Sequence, residues 1–226
     1  MAKYEFNSIT LMWRPGKGSR RIAIGSLSKD KINGALKFEY SQNGIDEAKK
    51  IDSHFAGYPG LPIDSLSFES SLLEEIFFSR LINTERNDAR QLLDFWLVDP
   101  LRYSDKYYLL AQTQGLSFSD TFEFVPRYFK SHKNSFITDI AGLSRIPYDL
   151  SKLHIGDKLQ FVLEPENEYD PNAVYVSHNM EKIGYIKQGH NTVFNRTNLL
   201  RIKLTVWSIV SIGDINKLYL RVDIPR

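Results

Sequence analysis

From Asn134 onward the chain is a series of short apolar runs cut by turn signals: "SFITDIAGL", "KLQFVLE", "AVYVS", "KIGYI", "LLRIKLTVWSIV" and "KLYLRVDI". The runs are rich in β-branched and aromatic residues. Most are too short for stable helices, and they recur at roughly 8–12 residues. That rhythm restricts the second half to a small, mainly β barrel or sandwich. "HNTVFNRTNLL" leaves room for one short helical turn.

The first half follows a different pattern. "SITLMW" and "RIAIGSL" read as strands joined by the basic, Gly/Pro-rich loop "RPGKGSRR", and "ALKFEY" as a third strand. "NGIDEAKKI" predicts a short helix. "LLEEIFFSRLI" and "ARQLLDFWLV" carry apolar residues at helical period. "SDKYYLLAQTQG" offers Ser104 as a helix N-cap and Gly115 just past its end. "FAGYPGLPID" reads as loop, and "DTFEFV" returns to strand. "PRYFKSHKN", Pro126 to Asn134, is polar, basic and without apolar period, and marks a boundary. The expectation is two domains. Residues 1–128 form an α+β lobe of a hairpin or small sheet plus helices, and residues 134–226 form a β-barrel domain.

Composition excludes several kinds of chemistry. There is no cysteine among 226 residues, so disulfides, thiolate metal sites and thiol nucleophiles are absent. The five histidines show no metal-ligand spacing. No apolar run approaches the roughly 18 residues of a membrane span. "MAKYEFNSIT" lacks the basic-then-apolar pattern of a signal peptide, so a cytoplasmic protein without membrane contact is expected. Fourteen Phe, twelve Tyr and three Trp are ample for a core.

The net charge is only +2, but it is unevenly placed. Lys182 to Gly213 holds Lys182, Lys187, Arg196, Arg201 and Lys203 and no acid. Such a stretch is either a solvated basic face or an attractor of phosphate.

No catalytic motif emerges. "RPGKGSRR" contains Gly-Lys-Gly-Ser, but a phosphate loop needs Gly, four residues, then Gly-Lys-Ser/Thr at the start of a helix. Glu74 and Glu75 are adjacent on a predicted helix and do not face each other. Ser70, Ser71 and the scattered histidines form no triad signature. A non-enzymatic protein without cofactor, metal or catalytic residues is expected.

"EPENEYDPNAVYV", Glu164 to Val176, is the densest polar stretch. Asp170-Pro171 suits a turn: Pro supplies the φ of the second position, and the Asp carboxylate accepts from the N–H two residues on. Asn172 has the same capacity, and Tyr169 would pack beside the turn.

"GDKLQFVLEPENEYDPNAVYVSHNMEKIGYI" resembles the HIRAN domain family. The resemblance rests on Asn167-Glu168-Tyr169-Asp170-Pro171-Asn172-Ala173-Val174 and on Ile183-Gly184-Tyr185-Ile186, with Glu168 where the family usually has Pro. It extends over about residues 134–226. It implies a small OB-like barrel and, as in the eukaryotic fork-remodelling members, a grip on single-stranded DNA and its 3′-hydroxyl end. By that resemblance Tyr169 stacks or walls the terminal nucleotide, Asp170 accepts from the hydroxyl, Asn172 holds the turn and Lys187 meets a phosphate. Tyr185, Arg196 and Arg201 complete the expected nucleic-acid face. The first strand departs from the family pattern: Thr138-Asp139-Ile140 stands where those members carry an Arg and an aromatic pair. Asp139 would repel phosphate.

The first half, with "ALKFEY", "HFAGYPGLP" and "IFFSRLI", is similar to the N-terminal subdomain of HipA-type serine/threonine kinases, without the kinase core. That similarity implies a lobe that contacts a protein partner: a HipA-like kinase, a helicase or a nuclease. The combined expectation is a bacterial-type, defence- or toxin–antitoxin-associated accessory protein whose barrel contacts DNA. The alternative is a regulatory or antitoxin-like subunit of a HipA-type kinase system, with a barrel that contacts protein.

Overall fold

Two long strands, β1 (Phe6–Trp13) and β2 (Ile22–Lys29), pair antiparallel on either side of the "RPGKGSRR" loop. The computed structural model describes all residues except 1–3, 17, 70, 118, 130–133, 196–200, 213–214 and 225–226, and the side chains of 212, 215 and 216. The chain divides into two compact units, Met1–Tyr128 and Phe129–Arg226. The fold is mixed α+β: a sheet with helices precedes a closed six-stranded, OB-like barrel.

In the first unit β3 (Leu36–Tyr40) follows β2 and leads into α1 (Gln42–Ile51). Ser41 caps α1, its side chain accepting from the Gly44 N–H at 3.2 Å. The predicted loop after α1 contains a small ribbon, β4 (Gly57–Tyr58) and β5 (Leu61–Pro62). The Tyr40 hydroxyl fixes that ribbon: it donates to Leu61 O at 2.5 Å and accepts from Tyr58 N–H at 2.7 Å. Then come β6 (Ser67–Glu69), α2 (Leu72–Phe78), α3 (Ala89–Phe95), α4 (Lys106–Thr113) and β7 (Glu123–Tyr128). The sheet order is β6-β3-β2-β1-β7. Ile9, Leu11, Ile24, Phe38, Phe77 and Phe124 are among its buried core residues.

Two local expectations need correction. The N-cap of α4 is Asp105, not Ser104: the Asp105 carboxylate accepts from Tyr108 N–H at 3.1 Å, so the helix begins one residue later. Past its end Gln114 (φ 61°) and Gly115 (φ 51°) both turn left-handed. Pro126 to Tyr128 belongs to β7 rather than to the boundary segment. β7 is an edge strand, and an edge tolerates a proline without an N–H.

Arg80 ties the helices of this unit to the lead-in of β7. Its guanidinium meets Asp120 in a fork, at 2.8 and 2.7 Å, and donates to Gly115 O at 2.7 Å and to the Tyr58 hydroxyl at 3.1 Å.

The second unit is built from β8 (Asn134–Ala141), β9 (Lys158–Glu164), β10 (Ala173–His178), β11 (Glu181–Ile186), β12 (Lys203–Ile212) and β13 (Ile215–Ile224). They close in the order β10-β11-β8-β13-β12-β9, with β9 pairing back onto β10. Leu159, Val174, Val176, Ile183, Leu204, Leu220 and Val222 are buried in it. Gly184 is required where β11 meets β8: a Cβ there would lie 2.7 Å from Ala141 O. A 3-10 helix, His190–Phe194, follows β11 at the position expected for a helical turn.

Candidate nucleic-acid interface

The β9–β10 connection is two successive turns. Asn167 N–H donates to Glu164 O at 3.1 Å, and Ala173 N–H to Asp170 O at 2.9 Å. The Asn167 side chain lies between them, its Oδ1 accepting from the N–H groups of Tyr169 (3.0 Å) and Asp170 (3.2 Å). Asp170 Oδ1 accepts from Asn172 N–H at 2.8 Å, two residues on, as the turn chemistry predicts. The other oxygen, Oδ2, accepts from Asn191 Nδ2 at 2.7 Å. Asn191 is buried in the 3-10 helix, and its Oδ1 accepts from Gly189 N–H at 3.0 Å. Asn172 takes a side-chain partner, its Oδ1 accepting from Asn195 Nδ2. Tyr169 projects from this braced turn and is 66% exposed.

Beside the turn lies an outward row across four strands. Val162 pairs with Tyr175, Tyr175 with Tyr185, and Tyr185 with Ala141. The register shifts opposite Val176/Ser177, where Ile183 is the extra residue of β11. That bulge turns Lys182 onto the same face as Tyr185, three residues on. Lys182 Nζ then sits 4.7 Å from the Tyr175 ring centre and 4.3 Å from that of Tyr185. It donates to Tyr185 Oη at 2.6 Å and to Glu164 Oε1 at 2.9 Å. Tyr185 Oη and Asn167 Nδ2 both donate to Glu164 Oε2, at 2.9 and 3.0 Å. Glu164 and Asn167 therefore join the tyrosine face to the turn.

The electrostatics follow from these contacts. Partial burial pushes the Glu164 carboxyl up, but hydrogen bonds from Lys182, Asn167 and Tyr185 outweigh it and hold it below the ordinary carboxylate range. For Lys182 desolvation pulls down, and its bonds to Tyr185 and Glu164 hold it above the ordinary lysine value. The hydrogen bond and charge of Glu168 push the Tyr169 phenol up. All three keep their neutral-pH charge states.

The expected site residues thus separate. Tyr169, Asp170 and Asn172 share the turn, and Tyr185 joins them through Glu164 and Asn167. Lys187 requires correction as a phosphate contact. It is fully buried, and its Nζ is 2.7 Å from Asp139 Oδ1. A buried ammonium needs a counter-charge, and the first-strand acid supplies it. The same pair corrects Asp139, whose charge Lys187 balances instead of leaving it to repel phosphate. Arg201 is exposed just before β12. Arg196 lies outside the described residues. Sequence reasoning missed Asn191, Tyr175 and the placement of Lys182. Tyr175 was accessible through strand alternation in "AVYVS", whereas Asn191 gave no signal.

Among the described residues no group of three His, Asp or Glu is placed to hold a metal ion, and no helix is long and apolar enough to cross a membrane.

Residues 133–211 match the family model of the HIRAN domain. The C-terminal unit carries a HIRAN domain. Two solved structures are similar to parts of the chain. The HIRAN domain of human HLTF is 19% identical, over 40% of this chain and 74% of that one, with a TM-score of 0.33. A protein from Lactobacillus plantarum is 18% identical, over 41% of this chain and 100% of that one, with a TM-score of 0.27. No curated protein matches the chain. The HIRAN match contains the whole turn, the tyrosine face and Asn191. It does not extend into the first unit, so the HipA-type similarity there gains nothing from it.

Proposed function

We propose that the HIRAN unit binds single-stranded DNA, at or near a strand end, and that the chain does so without catalysing a reaction. The observation that carries this is Tyr169. The residue is 66% exposed on a turn whose backbone Asn167 braces and whose neighbouring carboxylate is held by two internal donors. An aromatic ring held in place but left uncovered is a stacking platform, worth about 1–3 kcal/mol per base.

Asp170 has each oxygen occupied by one donor, and each oxygen keeps a second lone pair for a sugar hydroxyl. Tyr175 and Tyr185 extend the aromatic surface. Lys182 replaces Lys187 as the cation at this face, with its side chain 35% exposed against 0%. Arg201 and Lys203, both exposed, add charge from the acid-free stretch. A few such contacts give a modest, salt-dependent affinity, with a log–log slope of about −0.7 per phosphate on single strands.

The proposed partner of the N-terminal unit is a protein, a kinase, helicase or nuclease. No feature of the described residues favours the alternative of an antitoxin-like subunit with a protein-binding barrel. The test is a titration of labelled single-stranded DNA at several salt concentrations with duplex as competitor. Preferential single-strand binding that weakens with salt and with Tyr169→Ala supports the proposal. Absence of binding at about 50 mM salt, where phosphate contacts are strong, overturns it.

A further inference from the structure

The N-terminal unit carries a basic element with no part in the HIRAN site: the loop between β1 and β2. Arg14 to Arg21 contains four cations and no acid. Trp13 pairs with Ile22, so Arg14 and Arg21 face each other across the mouth of the hairpin. Both approach one buried carboxylate. Arg21 Nε donates to Glu123 Oε2 at 3.0 Å, and these two side chains are 6% and 3% exposed. Arg14 Nη2 lies 3.3 Å from Oε1, and its side chain is 20% exposed.

The two arginines are not equivalent. Glu123 holds one charge, and Arg21 is its closer and more buried partner. Arg14 is farther and more exposed, and its Nε is enclosed without a hydrogen-bond partner among the described residues. Moving the Arg14 head outward leaves Glu123 paired with Arg21, so no carboxylate is stranded. It also frees a buried donor that has no acceptor where it stands, an arrangement that itself costs about 1–3 kcal/mol. The Arg14 backbone stays put meanwhile, because its carbonyl accepts from Thr121 Oγ1. At the rim Arg20 is half-exposed and makes a surface ion pair with Glu47 at 3.3 Å, a contact of little strength. Gly18, at φ 82°, is exposed with nothing within 4 Å of a Cβ position, so approach to the tip is open.

We propose that this hairpin tip is a second contact for a phosphodiester backbone, with Arg14 as its releasable guanidinium and Arg20 beside it. A phosphate offers Arg14 the two-oxygen fork that its single contact with Glu123 lacks. The inference rests on the proposed DNA binding only for the identity of the polyanion.

The test uses the full chain and a fluorescein-labelled oligothymidylate titrated at several salt concentrations. Arg14→Gln combined with Arg20→Gln should weaken binding about three- to tenfold. It should also flatten the log–log salt slope by about 1.4, two contacts at roughly 0.7 each. Thermal unfolding of the double variant shows whether it is folded. If it is not, Arg20→Gln alone, on an exposed side chain, should flatten the slope by about 0.7. Affinity and slope equal to wild type in a folded variant overturn the hairpin contact while leaving the HIRAN site standing. If the wild-type chain binds no DNA, the HIRAN proposal fails and the hairpin is tested with inorganic polyphosphate. Weaker binding by the variant then supports the hairpin as an anion site, and equal binding overturns it.

Discussion

The buried side-chain amide of Asn191 donates to Asp170 Oδ2 at 2.7 Å, joining the 3-10 helix after β11 to the turn before β10. Asn191 is itself held from both sides. Its backbone N–H donates to Lys187 O at 3.1 Å, and its Oδ1 accepts from Gly189 N–H. The Asp170 carboxylate is therefore aimed by the fold, not left to find its direction when a ligand arrives. Lower reorganisation on binding follows.

Replacing Asn191 with Ala should remove this aim. It strips one donor from a partly buried carboxylate, which costs about 1–3 kcal/mol of unfolding free energy. Single-strand affinity should fall together with stability. Asn191→Asp should be worse, because two carboxylates would then meet. Thermal unfolding and DNA titration of both variants check the order.

Tyr169→Ala should separate the two effects. The ring is largely in water, so stability should change by no more than about 0.5 kcal/mol. Binding should weaken by about 1 kcal/mol or more through lost stacking. A large loss of stability with unchanged binding would place Tyr169 in the framework instead.

Glu164 gives a pH signature. Its carboxyl is held below the ordinary value of 4.5, so its network stabilises the fold fully above that pH. The contribution is lost as pH falls through the lowered value. Wild type should therefore exceed Glu164→Gln in melting temperature at neutral pH, and the gap should close in acid. A gap that persists unchanged at low pH would show that the charge of Glu164 is not what matters.

In the N-terminal unit, Asp120→Ala should be strongly destabilising, by about 3 kcal/mol. It leaves the Arg80 guanidinium, whose side chain is 7% exposed, without its carboxylate. Urea unfolding of the variant against wild type measures this.

Much of the barrel was legible because each short apolar run corresponds to a strand, and because Asp170-Pro171 carries its own turn chemistry. Tyr169, Asp170 and Asn172 share one turn, and local chemistry is what a sequence shows best. Lys187 was misread for the opposite reason. Its burial depends on Asp139, 48 positions away in the chain and opposed only once the barrel closes. Asn191 was invisible on the same ground, since nothing in "GHNTV" announces a bond to Asp170. The Ser104 cap failed by one residue because serine and aspartate stand side by side and either can accept from the helix start. The proline of β7 looked like a boundary because only sheet order shows which strand is an edge.

The central claim is that the Tyr169–Asp170 turn receives the end of a single strand. The most direct measurement compares the affinity of the full chain for one labelled oligonucleotide bearing a 3′-hydroxyl and for the same strand bearing a 3′-phosphate. An Asp170 carboxylate that accepts from the terminal hydroxyl predicts a marked loss on phosphorylation, and a smaller difference in Asp170→Asn. Equal affinity for the two strands in the wild-type chain would contradict it.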